Sequence, residues 1–277
     1  MITRFIGITL LGILIIGGLL ASFYSKAIEQ ALTLTPGKNT SSRATGIGPK
    51  MPTASPTAIV LPATATQTAQ MLQATILAQD TFQRADQALW GAASDGQSWG
   101  GDANKLTVFS IAGSNHTWGQ IANNRGNQGQ GEQIYNALLG PASENVNLVV
   151  SGSVNLFSLN ANFGVVLRWK DVNNWYKALI DGSDLIVLKR LNGVTTRLGA
   201  LRFTALSGKT YTLHFRAIGA TLFASAWQSD QSEPDHWMIV VSDMSLVSGQ
   251  GGVRVVLENN TVIHVASFLE TVANSGI

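Results

Sequence analysis

From Lys105 to Val272 the chain keeps returning to one pattern: short runs of alternating apolar and polar residues, bounded by Gly, Asn, Asp or Ser. KLTVFSI, NVNLVVSGSV, FGVVLRW, WYKALID, DLIVLKRL, KTYTLHFRAI, ATLFASAW, WMIVVSD, GVRVVLE and VIHVASFLETV all read this way and are rich in β-branched and aromatic residues. A period of two puts successive side chains on opposite faces of a strand, and none of these runs carries a helical period. So many short strands within about 200 residues pack as two antiparallel sheets rather than as one parallel α/β sheet. The predicted fold class is all-β, a two-sheet antiparallel β-sandwich.

The chain ahead of this domain has a different character. Residues 5–24, FIGITLLGILIIGGLLASFY, contain no charge. Twenty helical residues rise about 30 Å, the thickness of a bilayer's hydrocarbon core. Residues 1–26 are therefore expected to form a transmembrane anchor. A cleaved signal segment is the alternative, with Ser25-Lys26-Ala27 as a poor cleavage site. Either way the rest of the chain is expected outside the cytoplasm, held at the membrane or secreted if residues 1–27 are removed. Residues 27–78 read as a linker, because Thr33 to Thr68 hold five of the seven prolines amid Thr, Ser and Ala. Such a composition cannot offset its ordering entropy and predicts an extended, disordered stalk. Residues 67–78 are expected to include a short helix with Met71, Leu72, Thr75 and Ile76 on one side. The folded domain is then residues 79–277.

Charged residues make up only 12% of the chain, the net charge is +2, and no run of Lys or Arg occurs. Nucleic acid is a poor partner for such a surface. The absence of cysteine removes disulfides, thiolate metal sites, cysteine nucleophiles and lipoprotein attachment. The domain must be held by its core alone, which a chain of about 200 residues can manage. Within that core the hairpins are legible. Asp181-Gly182-Ser183-Asp184 and Asn192-Gly193 supply tight turns. Between them the alternation sets Tyr176, Ala178 and Ile180 against Trp175, Lys177 and Leu179.

GVVLRWKDVNNWYKALIDGSDLIVLKRLNG, with LSGKTYTLHFRAIGATLFASAW and the terminal VASFLETV, resembles the concanavalin A-like (laminin-G-like) jelly roll of secreted bacterial proteins. DTFQRADQALWGAASDGQSWGGD is similar to that family's first strand and loop. The resemblance covers roughly residues 79 to 273 and implies a jelly-roll topology with the first and last strands side by side, Asp80 to Arg84 against Ser267 to Val272. It is specific for fold and weak for activity, since the family includes lectins, glycosidases and domains without a ligand.

Glycosidases of this fold carry a Glu-x-Asp-x-Glu type motif on one strand, which is missing here. The glutamates are isolated, and only Glu233-Pro234-Asp235 brings two carboxylates close. The histidines show no metal-ligating pairing, and no catalytic residue is assigned. No cofactor is required by the sequence, although the resemblance allows calcium on oxygen ligands from loops. Asp95, Asp102, Asp171, Asn173, Asp181 and Asp184 are the candidates, and all are equally natural turn residues. Alternation places Arg168, His214, Arg216 and Arg254 opposite the apolar faces of their strands, so they line one groove if those strands share a sheet. On the same reasoning Trp169 joins Val165 and Leu167 on the core face. Trp118, Trp175 and Trp227 are candidate stacking platforms for sugar rings, with Lys177 beside Trp175. The expected function is noncatalytic recognition of carbohydrate or a cell-envelope component by a membrane-tethered module. A glycoside hydrolase-like enzyme and a structural surface protein remain as alternatives.

Overall fold

The computed structural model describes residues 75–113, 118–122, 133–157 and 161–274. The expected anchor, nearly all of the linker, His116 and residues 123–132 lie outside them. No helix among the described residues is long and apolar enough to cross a membrane.

The described chain is all strand and connection. Its strands are β1 (Ile76–Asp80), β2 (Gln87–Ala88), β3 (Gly100–Gly101), β4 (Phe109–Ala112), β5 (Trp118–Ala122) and β6 (Gln133–Ser143). There follow β7 (Val146–Val154), β8 (Phe163–Asp171), β9 (Asn174–Ile180), β10 (Asp184–Leu191) and β11 (Val194–Arg202). The last five are β12 (Thr210–Ile218), β13 (Thr221–Gln228), β14 (Ile239–Ser242), β15 (Gly249–Leu257) and β16 (Val262–Val272). They form two antiparallel sheets. A seven-stranded sheet runs β11-β10-β9-β8-β15-β6-β3. A nine-stranded sheet runs β14-β13-β12-β7-β16-β5-β4-β2, with β1 added beside β16. The inward side chains of both sheets, among them Val165, Tyr176, Val187 and Val255 from one and Leu148, Leu213, Phe215 and Phe268 from the other, make one apolar core. The architecture is the expected β-sandwich.

Two local expectations change. The first strand does pair with the last, but it starts earlier: Ile76–Asp80 lies against Phe268–Thr271. Residues 76–78 are thus strand rather than the end of a short helix. Two strands carried no clear alternation. β6 contains Gly140-Pro141, which the sheet tolerates where β6 has slipped register against β15. β11 is a largely exposed edge strand, so it has no buried face to write a pattern for.

The N-terminal segment is locked by Asp80, which is fully buried. Its carboxylate accepts hydrogen bonds from Arg84 Nη1 (2.8 Å) and Nη2 (3.1 Å), Trp99 Nε1 (2.7 Å) and the Phe82 amide (2.8 Å). Above it Phe82, Trp90, Trp99, Phe109 and Phe268 meet edge to face or stacked. Trp90 and Trp99 therefore belong to the core itself.

A second buried carboxyl behaves differently. Glu270 of β16 points into the core toward Gly140 and Gly251 of the opposite sheet, where a Cβ on either glycine would come within 2.9 Å of its oxygens. Neither oxygen has a hydrogen-bond partner, and burial pushes the acid up to about 8 from an ordinary 4.5. A raised acid favours the protonated fold, so its contribution is full below about pH 4.5 and is lost as pH rises through about 8. Thermal unfolding between about pH 5 and about pH 9 should show stability falling across this window. Glu270→Gln should flatten that slope and raise the midpoint at the alkaline end. An unchanged slope in the variant removes Glu270 as its source.

Candidate functional site

The geometry of the site begins with one extra residue in β8. Opposite β15, Gln250 pairs with Trp169 and Gly252 with Val166, so three steps on β8 face two on β15. The bulge centres on Arg168, whose φ of 51° lies in the left-handed region. Past such a bulge the alternation inverts. Arg168 turns inward and is 1% exposed. Its Nε and Nη2 donate to the Glu144 carbonyl (3.2 and 2.9 Å), its Nη1 to that of Leu246 (2.8 Å) and its Nη2 also to that of Gly219 (2.7 Å). Leu246 is further fixed through its amide, which donates to the Tyr176 hydroxyl (3.0 Å). Arg168 is thus a structural cation and not part of an outward groove, and burial lowers its pKa from the ordinary value. Trp169, expected in the core, is instead turned to the outer face.

There it meets the residues that β9, β10, β15 and β6 present outward. Leu138, Val166, Trp169 and Trp175 form a small apolar cluster of their own, backed by Leu188. Arg254 lies between the two indoles, its guanidinium carbon 5.5 Å from the Trp169 ring centroid and 4.7 Å from that of Trp175. Each such contact is worth about 0.5–2 kcal/mol, more when desolvated. Trp175 donates from Nε1 to the Val172 carbonyl (3.1 Å), which fixes its ring. Arg254 Nη1 donates to Asn136 Oδ1 directly across the β15–β6 ladder. Asn136 is in turn held by Asp102, whose Oδ2 accepts from the Asn136 amide (2.8 Å) and Nδ2 (3.2 Å). No other protein acceptor among the described residues takes an N–H of Arg254. Burial first, then Arg190, push its pKa down to about 10.

Lys177 extends along the same face. Its side chain runs over Gly164, where a Cβ would meet Lys177 Cε at 2.3 Å, and Nζ donates to Asn162 Oδ1 (2.6 Å). Trp175, Lys177 and Arg254 are 3%, 2% and 7% exposed. Trp175 is therefore not an open stacking platform: its ring face is engaged by the arginine. Arg190 faces outward opposite Trp175 across the β9–β10 ladder, half-buried, with Nη1 donating to Thr195 Oγ1 (3.1 Å). The sequence reading overlooked Trp169, Asn136, Asn162 and Arg190. Arg190 was within reach, since it shares the period-2 face of Ile186 and Leu188.

The remaining candidates lie elsewhere. His214 and Arg216 are on β12, in the nine-stranded sheet, so they do not share a groove with Arg254. His214 Nδ1 contacts Glu233 Oε1 (2.5 Å) beneath Trp237, and Arg216 Nη2 donates to the Asn274 carbonyl (2.8 Å). Trp118 stacks on His264 in that same sheet. Trp227 lines a separate groove of about 490 Å³ with Tyr211, Phe203, Pro234 and Met238. The six calcium candidates do not come together. Asp95, Asp171 and Asp181 accept the amides of Gln97, Asn173 and Ser183 as turn caps, Asp102 holds Asn136, and Asp184 pairs with Arg202 at 3.5 Å. Their positions do not fit a shared cation, and no cluster of three acidic or histidine side chains for a metal occurs among the described residues.

No protein family matches the sequence, and no curated protein does. Among solved structures, the chain is similar to the carbohydrate-binding module CBM66 from Bacillus subtilis, at 14% identity and a TM-score of 0.44 over 71% of this chain and 96% of that one. It is also similar to the lectin UEA-II complexed with galactose, at 8% identity and a TM-score of 0.46 over 69% and 99% of the two chains. A third likeness is to the GH43 BlXynB protein from Bacillus licheniformis, at 12% identity and a TM-score of 0.44 over 70% and 39%.

Arg168→Ala should strip the donors from three main-chain carbonyls and lower stability by about 3 kcal/mol. Urea unfolding of the variant measures this directly. A variant as stable as the parent chain means that water replaces the guanidinium and the bulge needs no anchor.

Proposed function

We propose that the protein is a noncatalytic recognition module that binds carbohydrate or a cell-envelope component through the outer face of the seven-stranded sheet. The observation that carries this reading is Arg254, whose guanidinium carbon lies over the Trp169 and Trp175 rings with one N–H group on Asn136 and the others unmatched by any protein acceptor among the described residues. A guanidinium already held by such contacts loses little entropy when it takes up a hydroxyl or carboxylate oxygen. The half-buried Leu188 beside the indole cluster suits the C–H face of a sugar ring, and the Asn136 and Asn162 amides lie within the same surface. The lack of a paired-carboxylate motif in the sequence supports binding over hydrolysis. In the same reading residues 5–24 tether the module to a membrane and the proline-rich linker carries it outward.

A glycan array probed with the full chain, in calcium and in chelator, tests this. Binding is expected in both conditions. Arg254→Lys, which keeps the charge but not the planar fork, should weaken it by about tenfold or more. An array without hits, or an Arg254→Lys variant that binds as the parent does, overturns the assignment of this face.

A further inference from the structure

The basic side chains of this face lack paired carboxylates. Lys177, Arg190 and Arg254 come from three strands of one sheet, and none of them takes part in an ion pair among the described residues. The four ion pairs found there join Arg84 to Asp80, Lys189 to Asp243, Arg202 to Asp184 and His214 to Glu233. The protein acceptors these three groups do have are neutral: Asn162 for Lys177, Thr195 for Arg190 and Asn136 for Arg254. Asp102 is the carboxylate nearest to them in effect, and its Oδ2 is already engaged by Asn136. Arg190 Nε is buried with no partner at all.

Like charges drawn together out of water are costly unless an anion joins them. Burial first, then Arg254, lowers the pKa of Lys177, and burial first, then Arg190, lowers that of Arg254. Gly164 is part of the arrangement: any side chain there would displace Lys177 from its course along the sheet. The chain therefore keeps two guanidinium groups and a buried lysine on one face, each with a neutral protein acceptor and no paired carboxylate.

We propose that this face is selective for a carboxylated sugar, a uronic acid unit of an acidic glycan. The inference rests on the carbohydrate reading above and names its ligand class. A carboxylate is planar and accepts two parallel N–H bonds from a guanidinium, and Arg254 keeps N–H groups that no protein acceptor among the described residues takes. Arg190, half-buried on the neighbouring ladder position to Trp175, adds a second reachable donor set. Lys177 lies beneath them, buried, with its pKa held well below the ordinary value, and donates to Asn162. Leu188, half-buried beside the two indoles, is the apolar surface left for the ring that bears the acid, which separates a sugar acid from a free inorganic anion.

The test is calorimetric titration of the full chain with oligogalacturonate and with an unsulfated glucuronate-containing oligosaccharide, each beside its carboxyl-reduced form, and with dextran sulfate. The expected result is binding of at least one uronate about tenfold or more tighter than its reduced counterpart, weakening as salt is raised. Arg190→Ala and Arg190→Gln should each remove most of that preference, with the thermal midpoint reported alongside to separate lost contacts from lost fold. If one variant unfolds, the other still decides. Equal binding of acid and reduced forms overturns the carboxylate preference and leaves the carbohydrate reading standing. Binding of dextran sulfate alone shows a general polyanion surface and overturns it as well. Binding of none of these, together with an array without hits, overturns both.

Discussion

The Arg168 guanidinium sits where three connections converge: Glu144 between β6 and β7, Gly219 between β12 and β13, and Leu246 ahead of β15. Carbonyls at strand ends have no ladder partner and must be satisfied in some other way once buried. One fork of N–H groups does this for three of them, which ties both sheets together at one end. To reach that point the side chain has to leave the outer face, and the left-handed residue in the β8 bulge turns it inward. Gly249 is needed beside it, because a Cβ there would sit 2.4 Å from the Arg168 carbonyl carbon. The same turn carries Trp169 to the outside, so the anchor of the fold and the wall of the site are two consequences of one bulge.

Two buried carboxyl groups on the one β1–β16 ladder behave in opposite ways. Asp80 is surrounded by donors and closes the first strand and loop onto the aromatic cluster. Gly119 makes room for that closure, as a Cβ there would strike the Phe82 ring at 2.4 Å. Glu270 has no donor near it and responds by holding its proton. A carboxyl can escape an unmatched burial by neutralising itself. A guanidinium cannot, which is why Arg168 must be given carbonyls and why Arg254 is covered by indole faces.

The outer face of the seven-stranded sheet owes its character to that constraint. Alternation along β9 and β15 delivers Trp175, Lys177 and Arg254 to one surface, and the bulge adds the second indole. What results is a guanidinium seated over two indoles, among neutral amides and beside Arg190 and the buried Lys177. Such an arrangement is pre-ordered for a planar oxygen ligand rather than for a large apolar partner.

The pairing of first and last strands came from the family resemblance; the β-sandwich, the hairpins around β9 and β10 and the two faces of β9 were legible in the residues alone. Each rests on period-two burial or on a turn that demands Gly, Asn or Asp, and both are local properties of the chain. The short strand β3, the slipped strand β6 and the exposed edge β11 were not, since none of them buries one clean face. Membership of a sheet is a long-range fact, so nothing in KTYTLHFRAI told that His214 and Arg216 lie on the opposite sheet from Arg254. The exchange of Arg168 and Trp169 was equally hidden, because a single inserted residue inverts every face beyond it, and its cause lies in carbonyls as distant in the chain as Gly219 and Leu246. Local burial periodicity decided what the strands are; only the packed sandwich, by requiring those carbonyls to be satisfied, decided which side chains meet on its outer face.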